Sequence, residues 1–122
     1  MIILSVSVSD GDRNVKKKKE GNVLWLLGPS SSGKTTIGQE VARYRNDMGV
    51  STLHFDGDEI RGFFGGNLGF KDEDRLRAVS ICVHLANKAA AVGVDVVVSA
   101  LTAREDARSL VKQSTKNLIL IY

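Results

Sequence analysis

The 122-residue chain has a single cysteine, Cys82. An intrachain disulfide is therefore excluded. The thiol falls on the apolar face of a predicted helix, as a packed group in a reducing compartment does. Long apolar runs are also absent: none approaches the roughly 18 residues needed to cross a bilayer. Met1 to Val8 is apolar, but it has no basic lead and no small-residue cleavage site, so it is not expected to be a signal peptide. These absences point to a cytoplasmic protein without a membrane partner. Strong charge is missing too. The 17 basic and 14 acidic residues leave +3, and Lys16 to Lys19 supply four of the basic ones, so the remainder carries −1. The basicity is a local, solvated tail and not a nucleic-acid-binding face. Residues 1–20 are expected to be a flexible extension, and residues 21–122 a single domain without internal repeats. At 43% hydrophobic and 25% charged, the composition is that of an ordinary globular domain, long enough to build a core.

What is present is concentrated. Gly28-Pro29-Ser30-Ser31-Ser32-Gly33-Lys34-Thr35 fits the phosphate-binding pattern G-x-x-x-x-G-K-[ST]. Its flanks agree. Val23 to Leu27 is a short apolar strand, and Thr36-Ile37-Gly38-Gln39-Glu40-Val41 opens a helix. In such a loop, the backbone N–H groups from Gly28 to Thr36, all but that of Pro29, which has none, converge on a phosphate. Lys34 reaches the β- and γ-phosphates, and the Thr35 hydroxyl holds Mg²⁺.

The remaining chain alternates strands and helices. A helix is expected from Thr35 to about Asp47, with Ile37, Val41, Tyr44 and Met48 as its apolar face. Strands are expected over Val50 to Phe55, Val94 to Val98 and Leu118 to Tyr122. Helices are expected over Glu59 to Phe64, from Asp72 to Gly93 and over Glu105 to Ser114. This order implies an α/β fold: a parallel sheet covered on both faces, the three-layer αβα arrangement of phosphate-loop NTPases. Ligands then bind beyond the carboxyl ends of the strands, which here carry Gly28, Asp56 and Ser99 to Thr102.

Asp56-Gly57-Asp58-Glu59-Ile60-Arg61 is the second constellation. Carboxylates at a strand end beside a phosphate loop suit metal coordination and activation of an attacking hydroxyl. Arg61 suits bidentate anion binding. The same residues also fit a solvated Asp-Gly turn with an N-cap aspartate. A third segment runs from Asn67 to Arg75. There Phe70 suits stacking on a base and Arg75 suits a phosphate or sulfate, though without the other motifs the segment favours a hydrophobic anchor and a helix-surface arginine.

In this order the segments resemble adenylylsulfate kinase. The likeness runs through Gly21-Asn22-Val23-Leu24-Trp25, Gly28 to Ile37, Asp56 to Arg61, Leu68-Gly69-Phe70, Asp72-Glu73-Asp74-Arg75, Ala91 to Ser99 and Arg104-Glu105-Asp106. The resemblance implies transfer of the ATP γ-phosphate to the ribose 3′-hydroxyl of adenylyl sulfate, in sulfate assimilation. It implies Lys34, Asp56 and Thr102 as catalytic residues, and Thr35 with Asp56 at Mg²⁺. Asp56, Asp58, Arg61, Phe70, Arg75, Leu101 and Thr102 would hold the substrate. A homodimer, or fusion to or association with a sulfurylase, is also implied. The alternatives are a kinase for another small hydroxyl substrate and a nucleotide-binding remnant without turnover. Three departures stand out. Ala78 occupies a position that is commonly asparagine. Leu101-Thr102-Ala103-Arg104 replaces Ile-Ser-Pro-Tyr-Arg, with Thr102 in place of a serine linked in some members to a phosphoenzyme form. The chain also stops at Tyr122, where the family continues into a basic lid.

Overall fold

The computed structural model describes residues 19–27, 33–65, 69, 71–100, 102 and 104–121. The expected extension over residues 1–18, the loop residues Gly28 to Ser32, and Phe70, Leu101 and Tyr122 lie outside them. The elements are β1 (Val23–Leu26), α1 (Lys34–Asp47), β2 (Thr52–Asp56), α2 (Gly57–Gly62), α3 (Asp72–Ala91), β3 (Asp95–Ser99), α4 (Glu105–Ser114) and β4 (Leu118–Ile121). The four strands form one parallel sheet in the order β2-β3-β1-β4.

Strand alternation sorts the sheet into two faces. One face carries the register row Phe55, Val98, Trp25 and Leu120, with Val96, Val23 and Leu118 in the next row. These residues pack with Val79, Cys82, Val83, Ala86 and Ala90 of α3 and Ala107 and Val111 of α4. Val96, Val97 and Val98 are fully buried, as the central strand of a doubly covered parallel sheet requires. The Cys82 thiol lies in this core, and burial pushes its pKa up to about 12.

The other face is covered by α1, and here the contact surface differs in phase from the expected one. Ile37, Tyr44 and Met48 are 51%, 66% and 65% exposed, and Val41 is only half-buried. The buried positions are Lys34, Gly38 and Ala42. The 3.6 period holds, but a different face of the helix meets the sheet. The helix seats its small residues there because the backbone must approach His54 and Ser99 closely. A Cβ on Gly38 would lie 2.4 Å from both His54 Nε2 and Ser99 Oγ. The larger apolar side chains are left roughly 100° around the helix axis.

Smaller shifts have local causes. β2 begins at Thr52, two residues later than expected, because the Val50 amide turns back to the Arg45 carbonyl (2.9 Å). α2 starts at Gly57 because the Asp56 carboxylate caps it by accepting from the Asp58 amide (3.1 Å). At the opposite end of the sheet, the buried Asp95 carboxylate accepts from the Asn22 amide (2.9 Å) and from Arg45, which ties β1, β3 and α1 together.

Candidate active site

The connections leave β1 and β3 in opposite directions. The chain after β1 crosses to β2 through α1, and the chain after β3 crosses to β4 through α4 on the other face. A crevice opens beyond the carboxyl ends of two neighbouring strands wherever the connections diverge in this way. The structure has an open cavity of about 260 Å³ at this end, lined by Lys34, Thr35, Asp56, Gly57, Asp58, Arg61, Arg75, Ala78, Val79, Ser99 and Ala100.

Each wall follows from its element. Gly33 holds φ +80°, a left-handed conformation that costs glycine little, and from there the chain enters α1. Lys34 and Thr35 therefore sit on the first turn, where the amides of a helix N-terminus and the helix dipole favour an anion. Lys34 is only 9% exposed. Asp56 ends β2. Its Oδ1 caps α2, and its Oδ2 accepts from the Thr35 hydroxyl at 3.3 Å. The N-cap role and the site role thus belong to one carboxylate. Arg61, on the last turn of α2, donates to the Gly69 carbonyl and so ties α2 to the loop before α3. Arg75, Ala78 and Val79 are neighbours at helical spacing on α3.

Of the residues singled out from sequence, Lys34, Thr35, Asp56, Asp58, Arg61 and Arg75 meet around this cavity. Gly33 and Thr36 flank the first two along the chain, and Gly33 accepts from the Ile37 amide (3.0 Å). Thr102 is not among the lining residues. It is 3% exposed, and its hydroxyl donates to the Ala100 carbonyl at 3.4 Å. Gly28 to Ser32, Phe70 and Leu101 lie outside the described residues. Ser99 and Ala100, expected at the ligand-binding end of β3, also line it. Sequence reasoning gave no lining role to Gly57, Ala78 or Val79; Ala78 and Val79 were recoverable from helical spacing off Arg75.

Thr35 and Asp56 also bear on a cation. Two oxygens binding one octahedral Mg²⁺ side by side stand about 2.9 Å apart, given ligand distances near 2.05 Å. The observed 3.3 Å between a hydroxyl and a carboxylate oxygen, both hard donors, is compatible with that. Among the described residues no three His, Cys, Asp or Glu side chains cluster as metal ligands. Two protein oxygens alone would leave most of an octahedral shell to other groups.

Arg104 bridges Asp72 at the start of α3 (2.6 Å) and Asp106 on α4 (3.1 Å). Its hydrogen bond to Asp106 raises the guanidinium pKa and lowers that of the Asp106 carboxyl. Behind the cavity, burial lowers the His54 pKa, and the charges of Asp56 and Glu59 only partly oppose it.

Comparison with known proteins agrees with this geometry. Residues 20–122 match the family described as adenylylsulphate kinase. A "Bifunctional enzyme NodQ" of Rhizobium meliloti is 32% identical over 109 residues, which are 89% of this chain and 17% of that protein. A "Probable adenylyl-sulfate kinase" of Bacillus subtilis is 31% identical over 119 residues, 94% of this chain and 60% of the relative. Among solved structures, the Mycobacterium tuberculosis APS kinase CysC in complex with AMPPNP and APS superposes with a TM-score of 0.74 at 27% identity. The match covers 84% of this chain and 61% of that one. This chain thus spans under two thirds of the length of each.

Proposed function

This chain belongs to the adenylylsulphate kinase family, and from that premise we propose that it phosphorylates the ribose 3′-hydroxyl of adenylyl sulfate with ATP. The products are 3′-phosphoadenylyl sulfate and ADP. One observation carries the reading: a phosphate-loop lysine, a Thr–Asp oxygen pair and two arginines line a single cavity.

Each residue has a role that its position supports. Lys34 and the first-turn amides of α1 bind and neutralise the β- and γ-phosphates. Thr35 and Asp56 are the residues suited to hold Mg²⁺, which when bound neutralises phosphate charge. Asp56 orients the 3′-hydroxyl and takes its proton as the new O–P bond forms. The bond from the γ-phosphorus to the bridging oxygen breaks in the same displacement, and that oxygen leaves with ADP. Asp58, Arg61 and Arg75 position the nucleotide anion, with Arg suited to the sulfate or phosphate group. Phe70 against the adenine and Leu101 beside the substrate complete the proposed set. Catalysis of this kind is mainly alignment and charge neutralisation. The Thr102 hydroxyl donates to the Ala100 carbonyl, and none of these steps is assigned to it.

The reading extends to the rest of the proposal. Residues 21–122 form the catalytic domain behind an N-terminal extension, and the protein acts in the cytoplasm in sulfate assimilation. It works as a homodimer or with a fused or associated sulfurylase. One observation favours a second reading, a kinase for a different small hydroxyl compound: the methyl group of Ala78 lines the cavity and offers no hydrogen bond to a substrate.

The test is a coupled ADP-release assay on the full-length protein. Adenylyl sulfate is expected to accept phosphate far better than AMP or adenosine. Lys34→Ala is expected to weaken nucleotide binding by about 1.5–3 kcal/mol, the worth of a charge-assisted contact. Equal use of the three acceptors would refute the substrate. Unchanged calorimetric affinity in Lys34→Ala would refute the phosphate-loop role.

A further inference from the structure

Behind the cavity, three residues from three elements meet where neither the motif nor the proposed mechanism uses them. His54 lies in β2, Ser99 ends β3, and Gly38 is one turn along α1 from Lys34. The Ser99 hydroxyl donates to the Lys34 carbonyl at 3.0 Å. A hydroxyl has one proton, so towards its other neighbour this oxygen can only accept. That neighbour is His54 Nε2, 2.8 Å away. The ring nitrogen facing Ser99 must therefore carry the proton. The result is a directed chain, from His54 Nε2–H to Ser99 Oγ and from Ser99 O–H to the Lys34 carbonyl. Gly38 makes room for it, since any Cβ there would stand 2.4 Å from both polar atoms.

We propose that His54 and Ser99 are positioning residues that clamp the first turn of α1 onto the sheet and so aim Lys34 at the phosphates. Ser99 is 3% exposed, so its hydroxyl is held without competition from bulk water. The clamp grips the backbone of the residue whose side chain binds phosphate, and a small displacement there moves the ammonium group directly. This rests on the nucleotide-binding part of the proposed function and is independent of the acceptor's identity.

The experiment is calorimetric binding of Mg²⁺–ADP to the whole chain, in a Lys34 and a Lys34→Ala background. Ser99→Ala and His54→Leu remove the clamp; His54→Gln keeps an N–H donor. In the Lys34 background, Ser99→Ala and His54→Leu are expected to weaken binding about five- to tenfold, and His54→Gln to recover most of that loss. In the Lys34→Ala background the same changes are expected to matter less than twofold, because the group they aim is gone. Equal losses in both backgrounds would mean a merely structural role and overturn the proposal, as would full affinity in Ser99→Ala. Should His54→Leu not fold, as judged by circular dichroism, Ser99→Ala and His54→Gln decide the matter. A wild-type chain that fails to bind Mg²⁺–ADP would overturn the clamp and the nucleotide-binding reading together. Normal binding without preference for adenylyl sulfate would overturn only the substrate and leave the clamp standing.

Discussion

His54 shows how one residue can link chemistry to stability. Burial lowers its pKa from the usual 6.5, against the opposing charges of Asp56 and Glu59. The unfolded chain therefore takes up the proton more readily than the folded one. The stabilisation from the neutral ring is fully present above the unfolded value and is lost as pH falls through the folded one. The melting temperature is expected to drop as pH is lowered from about 7 to about 5.5. His54→Gln, which has nothing to titrate, is expected to show a shallower drop across that window. Parallel pH profiles for the two proteins would mean that His54 titrates normally. At this same scale Lys34, Thr35 and Asp56 were legible in the sequence, because a contiguous motif and a strand end announce them. The pairing of His54 with Ser99 was not. They lie 45 positions apart, and only sheet register sets them on the same face.

Among the elements, α1 is where the sequence reading and the structure part. Periodicity gives the existence of a helix and the angular spread of its apolar residues, but not which arc meets the sheet. Gly38 supplies the missing information. Intrinsic helix propensity favours Ala over Gly by about 1 kcal/mol. Here, however, the added methyl group would collide with His54 and Ser99 at 2.4 Å. Gly38→Ala is expected to destabilise the chain by about 1–3 kcal/mol net, the usual cost of overpacking. Gly62 in α2 is the control, because a Cβ added there would meet nothing within 4 Å. Gly62→Ala is expected to be neutral or slightly stabilising in the same thermal melts. A Gly38→Ala protein as stable as Gly62→Ala would show that α1 can lift off the sheet without cost.

For the whole molecule, the question is how well the sheet is covered. β2 and β4 are its edges. At the start of β2 the outer edge is covered by Asn46, whose side chain bonds both the N–H and the C=O of Thr52 at 2.8 Å. β4 differs. Leu118 and Leu120 pack on the core, while Ile119 and Ile121 on the other face are 47% and 38% exposed. Among the described residues no strand pairs with the outer edge of β4, and an edge carrying exposed isoleucines favours association between chains. The 122-residue chain is expected to shift to larger species in light scattering as concentration rises. Replacing both residues, Ile119→Lys with Ile121→Lys, is expected to suppress the shift. A wild-type chain that stays monomeric at every concentration would refute this.

By itself the sequence determined the phosphate loop, the alternation of strands and helices, and the family, because each is written in contiguous residues whose local physics needs no partner. Glycine-rich turns, valine-rich strands and acidic helix starts are local facts. Tertiary structure decided everything that depends on which faces meet. It put Gly38 and Ala42 under α1 in place of Ile37 and Tyr44. It set the Thr102 hydroxyl on the Ala100 carbonyl, and it brought Asp56 within hydrogen-bonding distance of Thr35. It also joined His54 and Ser99 behind Lys34. The physical reason is common to all of these. A helix or strand pattern fixes geometry along its own axis, whereas rotation about that axis and register against a neighbour are set by close packing between segments distant in sequence.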